Sequence, residues 1–160
     1  MDNTENMSNE ISLAVLLPLI EEKLAAGGEV VFKPRGMSML PLIRQGVDSV
    51  VLESAEKPQK GDVILYRRQN GQFVLHRIVG RNDDGYVLCG DNQFVFEYGV
   101  TEDLVIGVMK GIWRGKKYVP CTRVSYRIYK RSMPLIRFWK RAENCGRRIV
   151  GKMRNDKGAV

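Results

Sequence analysis

Histidine is nearly absent from this chain: His76 is the only one among 160 residues. A metal centre built on imidazole therefore has little to draw on. Cysteine is scarce too. Cys89, Cys121 and Cys145 are odd in number and widely spaced, and they form no CxxC pair. That argues against a disulfide framework and a zinc site, and it fits a reducing, cytoplasmic setting. No metal and no cofactor are expected. Long apolar runs are missing as well. The longest largely apolar stretch, Ile11 to Ile20, has ten residues, about half of the ~20 that a spanning helix needs. The residues before it include Asp2, Glu5 and Glu10 but no Lys or Arg, whereas a signal peptide starts positively charged. The stretch reads as a buried amphipathic helix.

Negative charge is what the C-terminal quarter lacks. Residues 121–160 hold twelve Lys or Arg against two acidic residues, which leaves the first 120 residues at −2 out of a total of +8. A near-neutral body with a basic tail implies an acidic partner surface. The composition, 44% hydrophobic and 28% charged, is that of a globular protein. Three segments are expected: residues 1–28 helical, 29–120 a β-rich domain, and 121–160 a basic helical tail.

In chain order, Ser8 or Asn9 can cap a helix over Glu10 to Ala26, with Ile11, Val15, Leu16, Leu19, Ile20 and Leu24 as its apolar stripe. Pro18 predicts a kink or break, and Gly27-Gly28 a stop. Strands are predicted over 29–33, 48–52, 63–67, 73–79, 86–89 and 104–113, with a short return at 118–119. Asn70-Gly71 marks a hairpin, and residues 93–102 read as a loop. Many short strands with Gly turns predict a mainly β domain. From Thr122 onward, Tyr126, Tyr129, Met133, Ile136 and Trp139 recur at helical spacing among basic residues, and Pro134 predicts a kink. The tail, residues 122–154, has three readings: peripheral docking on an anionic membrane, nucleic-acid binding, which is the least favoured, or simple packing on the β domain with a solvated basic face.

Three segments carry candidate chemistry. Gly36-Met37-Ser38-Met39-Leu40-Pro41 places a serine on a turn after a strand. His76 follows thirty-eight residues later, and Gly90-Asp91-Asn92 lies fifteen residues beyond it. Serine, histidine and aspartate are the groups that activate a hydroxyl nucleophile. Each also has a plain structural reading: a turn serine, a satisfied core histidine and an Asx-turn aspartate. Strand alternation puts His76 on one face with Val74 and Ile78, and Arg77 on the other. Asp62 reads as a turn residue.

Taken together, Gly36-Met37-Ser38-Met39 with Pro41, Gly61-Asp62-Val63-Ile64, Val74-Leu75-His76-Arg77-Ile78-Val79 and Gly90-Asp91-Asn92 resemble the signal peptidase I and LexA-type serine peptidase superfamily. The likeness runs from about Phe32 to Asp91, plus the strand to Trp113. It implies a β-ribbon fold and a Ser38–His76 dyad acting through an acyl-enzyme on an extended peptide, such as a leader or signal segment. His76 stands at the base position, as in the histidine-using endoplasmic reticulum and archaeal branch. Asp91 is the implied orienting acid, and a second family acid falls on Glu97. Gly36, Met37 and Met39 are implied at the oxyanion site and groove. Gly36 replaces a serine donor, which leaves the oxyanion to backbone N–H groups, chiefly that of Ser38. The chain departs from the family in carrying neither the membrane anchor of signal peptidases nor the DNA-binding domain of LexA-type proteins before the serine block. A non-catalytic peptide-binding module on the same fold is the alternative.

Overall fold

The computed structural model describes residues 13–54 and 56–136. Helix α1 spans Leu13–Ala25. The strands are β1 (Val30–Phe32), β2 (Asp48–Glu53), β3 (Val63–Arg67), β4 (Phe73–Asn82), β5 (Gly85–Cys89), β6 (Glu97–Val100), β7 (Val105–Arg114) and β8 (Lys117–Pro120). A second helix, α2, occupies residues 124–136. The expected cap at Ser8 or Asn9, Trp139 and Cys145 lie outside the described residues.

The strands form one antiparallel sheet in the order β1-β2-β7-β3-β4-β5-β6, with β8 added against β7. The fold is therefore mainly β with two helices, as the strand pattern predicts. Strand β7 holds the sheet together because its two halves have different partners. Val105–Val108 pairs with β3, and Val108–Arg114 pairs with β2 across a bulge at Val51/Leu52. No described helix is long and apolar enough to cross a membrane.

Two apolar clusters flank the sheet, as the alternation of strand side chains requires. One gathers Val50, Leu52, Val63, Leu65, Leu75 and Met109 with Ile20 and Leu24 of α1 and Tyr126 of α2. The other gathers Ile64, Tyr66, Ile78, Tyr86, Leu88 and Val100. Helix α1 touches the sheet along a narrower line than its apolar stripe suggests. Leu16, Ile20 and Leu24, four apart, face inward, while Val15 and Leu19 are exposed. Pro18 sits inside α1 without ending it. The stop comes at Gly27-Gly28, where Gly27 takes φ +76° and the Gly28 and Gly27 N–H groups donate to Lys23 and Leu24 carbonyls, a Schellman closure.

Two other expectations change. Residues 97–100 form strand β6 rather than loop; its pairing with β5 is interrupted by an irregularity between Tyr86 and Leu88, so no clean alternation marks it in the sequence. Helix α2 runs through Pro134 to residue 136. It packs Tyr126 and Met133 inward and leaves Arg127 and Arg131 exposed.

Candidate functional site

Ser38 lies on the turn that follows β1. Gly36 enters that turn with φ +91°, a conformation that favours glycine. The turn is stitched to the loop after β5. The Asn92 N–H donates to the Ser38 carbonyl at 2.7 Å, and Asn92 Nδ2 donates to the Met37 carbonyl at 3.3 Å. Gly90 passes so close that a Cβ there would stand 2.6 Å from the Ser38 carbonyl oxygen. The Gly90-Asp91-Asn92 block is therefore the cradle of the serine turn. Met39 is buried in the core, which anchors the turn from below.

His76 reaches the site from β4. The hairpin turn before it, closed by Arg68 N–H on the Gln72 carbonyl at 2.8 Å, sets the register that places Ile64 opposite His76 and Tyr66 opposite Val74. The imidazole is 1% exposed. Its Nδ1 lies 3.0 Å from Glu97 Oε1 and 3.4 Å from the Tyr66 hydroxyl. Glu97 is itself fixed: Tyr66 Oη donates to its Oε2 at 2.6 Å and Arg68 Nε to the same oxygen at 2.8 Å, while Arg68 Nη2 donates to Oε1. Burial, the dominant influence, holds His76 below its ordinary pKa, although Glu97 beside it acts in the opposite sense. Burial would raise the Glu97 carboxyl, but the Arg68 and Tyr66 donors outweigh it and hold the group below the usual carboxylate range. A carboxylate on Nδ1 assigns the proton to that nitrogen and leaves Nε2 with a free lone pair.

Asp91 belongs to a second, buried ion pair. Arg77 grips both of its oxygens, Nε to Oδ1 at 2.7 Å and Nη2 to Oδ2 at 2.6 Å, and Tyr129 of α2 donates to Oδ2 at 3.1 Å. Arg77 also donates to the Gly61 carbonyl at 2.7 Å, and its guanidinium lies against the Tyr126 and Tyr129 rings. The pair is almost fully buried. Burial opposes the Arg77 charge, yet Asp91 more than restores it and raises the guanidinium pKa. The carboxylate at Nδ1 is Glu97, whereas both oxygens of Asp91 accept from Arg77. His76 and Arg77 are adjacent in the chain and so point to opposite faces of β4, yet the Asp91 charge is still near enough to favour the protonated imidazole. Asp62 is a turn residue, accepting from the Gln59 N–H at 2.8 Å and pairing with Lys130 of α2 at 2.7 Å.

Ser38 and His76 line one open cleft of about 840 Å³, together with Gly36, Met39, Phe73 and Gln93. No hydrogen bond joins them among the described residues. Gly36 and Met39 line the cleft, but the Gly36 N–H donates to Gln45 Oε1 at 3.1 Å and is not free for an oxyanion. Met37 is 65% exposed and is not among the lining residues. The cleft is flanked by two strand edges. Among the described residues β1 has only β2 as a neighbour, and Phe73–His76 of β4 pairs with β3 on one side, whereas pairing with β5 begins at Arg77.

No family model, curated protein or solved structure matches this chain.

Tyr66 and Arg68 were not singled out in the sequence. The signal for Tyr66 lay in the hairpin: counting back from the Asn70-Gly71 turn pairs Tyr66 with Val74, on the same face as His76. Arg68 carried no comparable signal, because its partner belongs to a strand thirty residues away.

Proposed function

We propose that the protein is a serine-type endopeptidase with the signal peptidase/LexA-like β-ribbon fold, acting on an extended peptide through Ser38 and His76, with Glu97 as the orienting carboxylate. The observation that carries this reading is the buried His76, its Nδ1 on a carboxylate that is itself clamped, opening onto the same cleft as a serine turn. A buried histidine needs a partner for Nδ1–H, but a purely structural one gains nothing from an open cleft lined by a serine.

In this reading the peptide lies as an added strand between the free edges of β1 and β4. Its binding drives water out of the cleft and brings Ser38 Oγ into line with His76 Nε2, a contact that commonly tightens only in the substrate complex. Nε2 takes the hydroxyl proton as Oγ attacks the carbonyl carbon, and returns it to the leaving amine as the C–N bond breaks. Glu97 holds the tautomer and stabilises the imidazolium. The Ser38 N–H serves the oxyanion. Water then repeats the sequence on the acyl-enzyme. Peripheral attachment to an anionic membrane belongs to the same proposal. α2 keeps Val124, Ile128 and Leu135 exposed on the side that also carries Arg131, with exposed Arg127 beside it, a combination suited to a lipid interface. Bound nucleic acid would leave the apolar residues in water.

Intact mass after incubation with serine-reactive probes, including a β-lactam, tests the dyad. One adduct on the wild type, lost in Ser38→Ala and in His76→Ala, is expected. No adduct from any probe would favour a peptide-binding module that keeps the cleft without the chemistry.

A further inference from the structure

We infer that the cleft selects peptides carrying an acidic side chain close to the bond that is cut. This rests on the peptidase reading above and names its substrate class. Three cations, Lys33, Arg35 and Arg68, line the cleft, and no aspartate or glutamate does so among the described residues. Arg68 is committed to Glu97, so its charge is largely balanced. Lys33 is exposed and has no ion-pair partner among the described residues. The segment that carries it alternates: Phe32 and Pro34 are half-buried, Lys33 and Arg35 exposed. The two cations therefore share one side of an extended stretch.

That stretch continues the free edge of β1, where a peptide strand would lie. An extended peptide presents successive side chains to opposite sides. One set meets the apolar floor made by Met39, Ile43 and Leu65, and the alternate set meets the rim where Lys33 stands. A cleft lined by charge of one sign focuses potential and concentrates ligands of the other. An apolar residue on the floor with an acidic neighbour at the rim satisfies both surfaces, while a basic neighbour is repelled.

The test uses the full chain and a set of short alanine-based peptide aldehydes, each carrying ¹³C at the aldehyde carbon, with one Glu or one Lys placed in turn at every position. Ser38 Oγ adds to that carbon, the C=O double bond becomes single, and the hydroxyl proton passes through His76 to the former carbonyl oxygen, giving a neutral hemiacetal. NMR titration of the labelled carbon reads the affinity of each aldehyde without needing turnover. At one position at least, Glu is expected to bind about tenfold more tightly than Lys, the effect of reversing one charge beside a surface cation. Lys33→Glu brings that ratio to parity or below, and high salt compresses it. Hemiacetals with no Glu-over-Lys preference anywhere, or a ratio unmoved by Lys33→Glu, overturn the inference and leave the peptidase reading standing. No hemiacetal at all in folded wild-type protein overturns the peptidase reading and this inference with it. Should Lys33→Glu fail to fold, Lys33→Gln must lower the ratio.

Discussion

At the scale of single residues, the proposed mechanism gives two carboxylates different work, and substitution separates them. Glu97→Gln keeps the shape of the Nδ1 partner but lets an amide stand where the imidazole needs a charge. The labelling rate of Ser38 is expected to fall by about 10²–10⁴-fold with the fold intact. Asp91→Asn leaves Arg77 buried beside a neutral group, so its main effect is on stability, a loss of about 3–5 kcal/mol in chemical denaturation. The reverse pattern would return the orienting role to Asp91. The pH profile has a fixed sign. His76 must be neutral to act, and burial lowers its pKa. The rate should therefore hold as pH falls through ~6.5 and decline only below it. Glu97→Gln moves that decline further down, because Glu97 acts to raise the histidine. Stability follows the same group: an unfolded chain binds the proton at ~6.5 and the folded chain only below that, so acid destabilises the fold from about that pH downward.

At the scale of elements, the turns bring the site together. Gly90 illustrates this because its role is negative: it has no side chain where Ser38 passes. Gly90→Ala would place a methyl 2.6 Å from the Ser38 carbonyl oxygen. The serine turn must shift, and covalent labelling should drop at least tenfold while the circular dichroism of the sheet persists; full labelling would show that the turn has room to spare. The strands themselves were legible from alternation and Gly turns, and so were Ser38 on its turn and His76 on a strand facing apolar neighbours. The missing part has a common cause. β6 pairs irregularly with β5, so its period is broken, and Glu97, which sits on it, is reached from the sequence only through the family resemblance. The Glu97–Arg68 and Asp91–Tyr129 contacts join residues twenty-nine and thirty-eight apart, and nothing local in either segment announces a partner that far along the chain.

At the scale of the whole molecule, charge and topology divide the labour. The sheet holds the cleft, and the positive excess lies in the C-terminal quarter, of which the described part, α2, turns an exposed face of Val124, Ile128, Leu135 and Arg131 outward. Sedimentation with vesicles should therefore depend on anionic lipid and be released by salt. Neutral vesicles should not retain the protein, and Arg127→Glu with Arg131→Glu should weaken retention by the anionic ones. Equal retention on neutral lipid, or none on anionic lipid, would remove the membrane as partner.

The ion pair between Arg77 and Asp91 is roofed by Tyr126 and Tyr129, and this sets an order in time. During synthesis both ion-pair partners emerge well before their cover. The thirty-eight residues from Asp91 to Tyr129 take about two to eight seconds to translate at ~5–20 residues per second. Until α2 arrives the pair lacks the two tyrosine rings that cover it, and Asp91 lacks the hydroxyl that Tyr129 donates. The cover of the pair, and with it the bracing of the loop that cradles the serine turn, is thus completed only when the last described helix arrives.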